Sequence, residues 1–243
     1  MAITLESLAS SSAGCAYRVS CPGSRPLLIE CGLPFGMLQK ALDFQVSKLA
    51  GCLVSHSHAD HSKAVHDLCK AGIDCWMSEP CLNALYTDKS GHRLRCLIPE
   101  SDQRDPIHVD DWSVSPFHAV HDCPGTLGFV VDSPAGDRLL YLTDSAYSKF
   151  TFSGLTHIAV ECNHSVEMMR ANAERGDMDR ERFARVCATH MSIERLEDML
   201  RANDLSRCRE IHLLHLSDGN SDAADFKARI EKLTGIPVTV AAK

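Results

Sequence analysis

The sequence of 243 residues lacks the long hydrophobic runs that membrane insertion or secretion requires. No stretch of about eighteen consecutive apolar residues is present, so no membrane-spanning helix is predicted. Residues 1–6 (MAITLE) contain no basic segment followed by an apolar core, so no signal peptide is predicted. We therefore expect a cytoplasmic protein without a membrane partner.

No Cys-x-x-Cys pair is present, although the chain contains 12 cysteines. In a chain of this size without a secretion signal, dispersed cysteines are typically small buried hydrophobes that stay reduced. Three of them flank candidate site segments and are alternative metal ligands: Cys31, Cys123 and Cys162.

The sequence also lacks an excess of positive charge. Its formal net charge of -7 and its pI near 6.0 argue against nonspecific binding to polyanions, but they do not exclude a nucleic-acid substrate. No linker, charge block or internal repeat divides the chain. Residues 1–243 are therefore expected to form one domain with a substantial core.

Strand and helix patterns alternate along the chain. An opening β-meander is predicted over residues 3–8, 17–20 and 26–30, a helix over 60–70, and an irregular polar stretch over 87–106. Strands come first and last, with helices between them. This order predicts an α/β (α+β) fold of two sheets packed inside outer helices.

The hexapeptide HSHADH at positions 56–61 contains four candidate metal ligands and follows a short apolar run. The run is typical of a buried strand, so the ligands are expected at a strand's carboxyl end, where open α/β sheets place their sites. His56 and His58 point the same way, whereas Asp60 and His61 lie beyond a bend, which suits one ion or two adjacent ions. Imidazole and carboxylate ligands together favour zinc, manganese or iron.

Further ligands are expected where later strands end. Asp144 follows a very apolar run, and a carboxylate there is poorly solvated unless a cation meets it. His118 and His121 are alternatives that spacing alone does not separate. His212 and His215 lie on opposite faces of a strand, so at most one of them faces a common site.

The ordered motifs resemble those of a known enzyme family. They are the hexapeptide at 56–61, Ser-Ser-x-Gly at 11–14, acid-Cys-Gly at 30–32, His-Asp at 121–122 before Gly-Phe at 128–129, Thr-Asp at 143–144, Glu-x-Asn-His at 161–164, His-Met-Ser at 190–192 and His-Leu-Ser at 215–217. Over about residues 3–220 the chain is similar to the metallo-β-lactamase fold hydrolases. More narrowly, it resembles their bacterial and phage YycJ/WalJ-type branch.

The resemblance implies a metallo-β-lactamase αββα four-layer sandwich with two divalent metal ions. It implies that one ion is held by the imidazoles of His56, His58 and His121. It implies a second ion held by Asp60, His61 and His215, with the Asp144 carboxylate bridging the two ions. This ligand set favours His121 over His118 and His215 over His212.

Hydrolysis is the activity that this metal site predicts. Two cations that share a carboxylate can activate water and clamp the attacking and leaving oxygens of an in-line displacement, which suits phosphodiesters. Asp60 is predicted to orient the nucleophile. His164 and His190 are predicted to hydrogen-bond the scissile phosphate or to protonate the leaving oxygen.

The leading hypothesis is a phosphodiesterase or exonuclease that acts on DNA, with a nucleic acid or nucleotide phosphodiester as its partner. Hydrolysis of a small phosphodiester such as a cyclic nucleotide is an alternative. The same scaffold also hosts thioester and lactam hydrolysis, although His164 and His190 argue against both. The remaining alternative is a noncatalytic protein module that binds metal only for stability. The sequence leaves open the metal's identity, DNA against RNA, and the oligomeric state, including a homodimer.

Overall fold

A computed structural model describes residues 3–89, 91–99 and 106–242. The chain divides into two compact units: Met1–His118 with Cys123–Asp137 and Ala242–Lys243, and Ala119–Asp122 with Arg138–Ala241. We call them unit 1 and unit 2. The single domain over residues 1–243 stays a prediction. None of the helices in the described part of the chain is long and apolar enough to cross a membrane.

Unit 1 contains a six-stranded sheet whose strands follow one another in chain order. The first two neighbouring pairs are antiparallel and the other three are parallel. The strands are β1 (Thr4–Ser11), β2 (Gly14–Ser20), β3 (Leu27–Ile29), β4 (Gly51–Leu53), β5 (Cys75–Ser78) and β6 (Leu94–Leu97). All residues of β3 and β4 are buried, as expected for parallel strands covered on both faces. The predicted opening meander is confirmed.

Short helices connect the strands of this sheet. They are α1 (Phe35–Ala41), α2 (Ala59–Ser62), α3 (Val65–Lys70) and α4 (Glu79–Leu85), with single 3-10 turns at Val46–Lys48 and Gly91–Arg93. The prediction of one helix over 60–70 was wrong in one respect, because α2 and α3 are separate helices. The break follows from the Cys31 backbone, which accepts from the Ala64 amide and donates to the His61 carbonyl.

The stretch over 87–106, predicted to be irregular, contains regular structure. The 3-10 turn at Gly91–Arg93 leads directly into β6, which pairs in parallel with β5. Asp74 accepts hydrogen bonds from Arg93 and Arg95 across this connection. These ion pairs hold a polar segment in place that sequence pattern alone reads as a loop. Residue 90 and residues 100–105 of the stretch lie outside the described residues.

Unit 1 also contains an antiparallel group of three strands: β7 (Ile107–Val109), β8 (Trp112–His118) and β9 (Leu127–Asp132). Trp112 is fully buried, and its indole nitrogen donates to the carbonyl of Arg25 at 2.9 Å. That bond satisfies the ring's only polar atom.

Unit 2 is built on four strands that pair in parallel in chain order. They are β10 (Arg138–Leu142), β11 (His157–Glu161), β12 (Glu210–Leu214) and β13 (Val238–Val240), and the helices are α5 (Val166–Glu174), α6 (Arg180–Thr189), α7 (Ile193–Ala202) and α8 (Ala223–Thr234). A Ser or Asp side chain caps the amino end of each helix by accepting from a backbone amide. Because the strands are parallel, their carboxyl ends meet at one edge, where sites form in such sheets.

Candidate metal centre

The hexapeptide at 56–61 lies just beyond the end of β4, as the sequence predicted. His56 Nε2 lies 3.0 Å from His58 Nδ1, and the ring centroids of His56 and His61 are 4.3 Å apart. Asp60 Oδ2 is 3.6 Å from His61 Nε2. All four predicted ligands of this segment therefore lie close together within unit 1.

The spacing of His56 and His58 fits a shared divalent ion. Two imidazole nitrogens bound tetrahedrally at about 2.0–2.1 Å from zinc lie about 3.3 Å from each other, close to the 3.0 Å observed. Ser55 Oγ lies 2.9 Å from His56 Nδ1. A proton on Nδ1 donated to that hydroxyl leaves the Nε2 lone pair for a metal, which is the usual arrangement of metal-binding histidines.

Glu30 is a buried carboxylate that the sequence motif contained but to which no role was assigned. It follows β3 with a positive φ of 64° and accepts from the Ser55 amide through both oxygens at 3.3 Å. Its Oε2 lies 3.6 Å from His61 Nδ1. Glu30 therefore contacts both the residue that precedes the hexapeptide and one of its histidines. An acid directly after a fully apolar strand is the signal that could have revealed it.

Within unit 2, one potential ligand atom from each of four side chains lies within 4.8 Å of the others. The four residues, which we call the unit 2 cluster, are Asp144, Glu161, His190 and His215. His215 Nδ1 is 3.5 Å from Asp144 Oδ1 and 3.3 Å from Glu161 Oε1. Buried carboxylates and imidazoles at this spacing suit a divalent cation of the zinc, manganese or iron type.

The parallel strands explain how these residues meet. Glu161 ends β11, His215 directly follows β12, and Asp144 comes two residues after β10. Asp144 and His215 have positive φ values of 46° and 54°, a conformation that costs a non-glycine residue about 1–3 kcal/mol. Such strain is typical of functional sites, where the surrounding structure compensates for it.

Glu161 and His190 form an ion pair in a buried setting. Burial alone would raise the pKa of Glu161, but the charge of His190 and their hydrogen bond bring it below its usual range. Burial has the opposite effect on a base and lowers the pKa of His190. The charge of Glu161 more than offsets this, so the pKa of the imidazole is raised. The Glu161 carboxylate also accepts from the Ser145 and Met191 amides at 3.1 Å. Sequence reasoning quoted Glu161 only as part of a motif and missed this role.

The structure separates the two pairs of alternative histidines. His121 Nδ1 donates to the carbonyl of Thr189 at 3.1 Å, and its Nε2 lies 3.2 Å from Asp122 Oδ1 and 4.0 Å from Asp144 Oδ2. His118 is exposed at the end of β8. His212 lies within β12 with its Nε2 3.4 Å from Glu210, and among the described residues it belongs to no candidate ligand group.

His164 differs from His190 in its surroundings. It is 1% exposed, and its Nδ1 has no hydrogen-bond partner in the described structure. Burial lowers its pKa to about 4 in spite of the opposing charge of Glu161, so its ring is neutral at physiological pH. His190 is partly exposed and directly follows α6. The pKa values of the two predicted catalytic histidines therefore shift in opposite directions, because burial dominates at His164 and Glu161 dominates at His190.

The three cysteines suggested as alternative ligands take no part in these groups. Cys31 and Cys162 are fully buried, and burial raises the pKa of both thiols, which disfavours the thiolate that binds metal. Cys123 Sγ lies 3.5 Å from Ser57 Oγ. Among the described residues, no candidate ligand group contains any of the three.

Residues 25–216 match the family model described as a β-lactamase superfamily domain. The chain belongs to this superfamily. A second comparison gives 28% identity over 185 residues to the exodeoxyribonuclease YycJ of Bacillus anthracis. The match covers 70% of this chain and 66% of that protein, so the chain spans slightly less than two thirds of its relative's length. The resemblance inferred from the sequence motifs is confirmed.

Solved structures of the superfamily show the same fold. The metallo-β-lactamase fold protein YhfI of Bacillus subtilis has a TM-score of 0.71 at 14% identity, covering 99% of this chain and 97% of its own. The short form of human tRNase Z has a TM-score of 0.64 at 16% identity, covering 100% and 97%. These matches confirm the predicted fold class.

Proposed function

We propose that the protein is a dinuclear metal-dependent phosphodiesterase that degrades DNA as an exonuclease. The observation that carries the proposal is the unit 2 cluster, in which an ion-paired histidine stands beside buried ligand-type side chains. The relative named an exodeoxyribonuclease supports the choice of substrate.

The proposed ligand set is the one that the family resemblance implies. His56, His58 and His121 would hold one ion, Asp60, His61 and His215 would hold the other, and both ions would share Asp144. The 3.0 Å spacing of the His56 and His58 nitrogens supports the first set, and the 3.5 Å approach of His215 to Asp144 supports the second. Zinc, manganese and iron all suit these donors.

When bound, the two ions supply a water that is acidic enough to ionise near neutral pH and positive charge that stabilises the transferring phosphoryl group. Water's oxygen bonds to phosphorus as the bond to the leaving nucleotide oxygen breaks. Asp60 orients the attacking water and accepts its proton. His190, whose pKa is raised by the neighbouring Glu161, donates a proton to the leaving oxygen.

His164 has a different proposed role. Its neutral, buried ring is close enough to His190 and Glu161 for both to affect its pKa. It acts as a neutral hydrogen-bonding group for the phosphate rather than as the proton donor. His190 is then the single proton donor of the proposed mechanism, which agrees with the single leaving oxygen of a phosphodiester.

A second candidate is hydrolysis of a small phosphodiester such as a cyclic nucleotide. The net charge of -7 favours it, because a small substrate does not need a long basic groove. Two bound divalent cations would reverse the local field, so the overall charge does not rule out DNA. A cytoplasmic location is proposed for either substrate.

The test is a substrate panel with metal-loaded protein. Purified protein is analysed for bound metals and then incubated with end-labelled duplex DNA, single-stranded DNA, RNA, cyclic nucleotides, a thioester and a β-lactam. Release of nucleotides from DNA ends, abolished by EDTA and by Asp144→Asn, is expected. Cleavage of the small phosphodiesters alone would replace the nuclease assignment with the second candidate, and turnover of the thioester or lactam alone would refute both.

A further inference from the structure

A short segment after Asp144 carries exposed aromatic rings. Ser145 and Ala146 are buried, but Tyr147 is 43% exposed and Phe150 is 44% exposed. We call residues 147–150, which read Tyr-Ser-Lys-Phe, the aromatic segment. Two exposed rings within a few residues of Asp144, a proposed metal ligand, point to a binding surface.

The aromatic segment is tied to the unit 2 cluster by hydrogen bonds. The Ser145 amide donates to Glu161 Oε2 at 3.1 Å, and the Ser145 hydroxyl donates to the carbonyl of Tyr147 at 2.8 Å. Ser148 Oγ both donates to the Phe150 carbonyl and accepts from the Phe150 amide. The backbone of the aromatic segment is therefore tied to Glu161 through Ser145.

Arg195 adds a cation to this surface. Its guanidinium carbon lies 5.9 Å from the centroid of the Tyr147 ring, within the range of a cation–π contact. The same side chain donates to the carbonyls of Ala146 and Cys187 at 3.1 and 2.8 Å, which hold it in place. A cleft of about 330 Å³ lies here, lined by Tyr147, Ser148, Arg195, Asp198, Met199 and Ala202.

We propose that the aromatic segment binds single-stranded nucleic acid. Bases stack on Tyr147 and Phe150, while Lys149 and Arg195 contact the phosphates. Rings alternating with cations are the features that such binding uses, and stacking tolerates any base because each has a π-face. Asp198 is the opposing charge in the cleft, and it is paired with Arg201 at 3.0 Å.

The position of the aromatic segment suits binding of a single-stranded nucleic acid whose end enters the active site. This part of the inference rests on the proposed function. Three residues span at most about 11 Å, so the Tyr147 backbone lies within that distance of Asp144. At the rise of about 3.4 Å per stacked nucleotide, this corresponds to about three nucleotides. The surface also explains how an acidic protein could hold DNA, because it uses local stacking and two cations rather than overall charge.

The test compares affinities for a short single-stranded oligonucleotide that contains 2-aminopurine and uncleavable phosphorothioate linkages. Metal-loaded wild type is compared with Tyr147→Ala, Phe150→Ala, Tyr147→Phe and Tyr86→Ala. Removing one stacking ring is worth about 1–3 kcal/mol, so each of the first two should weaken binding by about 5- to 150-fold. Tyr147→Phe should retain affinity, because it keeps the ring. Tyr86, an exposed tyrosine of unit 1, is the matched control and should bind like wild type.

The outcomes separate this inference from the proposed function. Equal affinities of wild type, Tyr147→Ala and Phe150→Ala would overturn the inference even if DNA is cleaved. If the wild type cleaves no phosphodiester but binds the oligonucleotide, and both alanine variants lose this binding, the proposed function is refuted and the binding surface is retained. A wild-type dimer that Tyr147→Ala converts to a monomer of unchanged DNA affinity would identify the segment as a contact between copies, against the inference. Melting temperatures verify that each variant is folded.

Discussion

The Nδ1 atom of His190 lies 2.6 Å from Oε1 of Glu161, which joins the end of helix α6 to the end of strand β11. Glu161 is fully buried, and the Ser145 and Met191 amides bind its other oxygen. A single carboxylate thus orients a histidine, a strand end and the loop that follows Asp144. Three of the predictions below concern this region and the ligands around it.

Glu161→Gln should keep the shape of the side chain but remove the charge that holds His190. We expect turnover of DNA to fall by about 10- to 100-fold, the usual cost of removing a group that orients a metal ligand or its neighbour. Steady-state kinetics on end-labelled DNA measures the loss. Glu210→Gln is the matched control, because Glu210 also stands beside a histidine but lies away from the cluster. Full activity of Glu161→Gln would contradict the role assigned to it.

Asp144→Asn should remove the proposed bridging carboxylate. Bound metal should fall below the wild-type content, and DNA hydrolysis should drop by at least about 100-fold, because the activated water is lost. Metal analysis by plasma mass spectrometry and DNA cleavage assays report the two effects separately. Asp67→Asn, at an exposed residue paired with Lys70, serves as the control. If Asp144→Asn bound a full complement of metal, the ligand assignment would be wrong.

His121→Ala and His118→Ala discriminate between the two candidates three positions apart. His121 donates to a backbone carbonyl through Nδ1, which leaves Nε2 beside Asp144, whereas His118 is exposed. We expect His121→Ala to lose metal and activity and His118→Ala to retain both. The measurement is metal content per chain together with cleavage rate. The reverse pattern would transfer the ligand role to His118.

Ser55→Ala should test how the histidine hexapeptide is oriented. Its hydroxyl lies 2.9 Å from His56 Nδ1, so its removal should loosen the ring and weaken metal binding by about 10- to 100-fold. Competition with a chromogenic chelator measures the affinity. Ser57→Ala in the same segment is a control, because Ser57 contacts Cys123 and not His56. Unchanged affinity in Ser55→Ala would show that the hydroxyl does not orient His56.

His212 should make stability depend on pH. Burial lowers its pKa and Glu210 only partly opposes this, so the folded chain resists protonation of this ring. The unfolded chain takes up the proton below about pH 6.5, and the free energy of unfolding should therefore decrease as pH falls below that value. Urea titrations at pH 7.5 and 5.5 should show a smaller decrease for His212→Gln than for wild type. Equal decreases would mean that this histidine does not contribute.

The hexapeptide at 56–61 and Asp144 could be predicted as site residues from sequence because each follows an apolar run. Their imidazole and carboxylate groups need either water or a metal ion as a partner. The same reasoning applies to Glu30, which follows an apolar strand, and to Glu161, which ends one. Their contacts with His61 and His190, however, involve residues far away in the chain. Local pattern therefore identified the acids of the motif without their partners. It also misread residues 91–97, where ion pairs to Asp74 stabilise a strand.

Three features were determined by the sequence itself: the family, the strand-end placement of the ligands, and the residue types that select a divalent metal. These depend on short apolar runs and on side-chain chemistry, both of which are local. The family resemblance already favoured His121 and His215, and the tertiary structure shows both of them near Asp144. Only the tertiary structure decided that Glu161 holds His190 and that Tyr147 is exposed beside Arg195. These features arise from backbone turns with positive φ and from the alignment of parallel strands, which bring together residues that are distant in the chain.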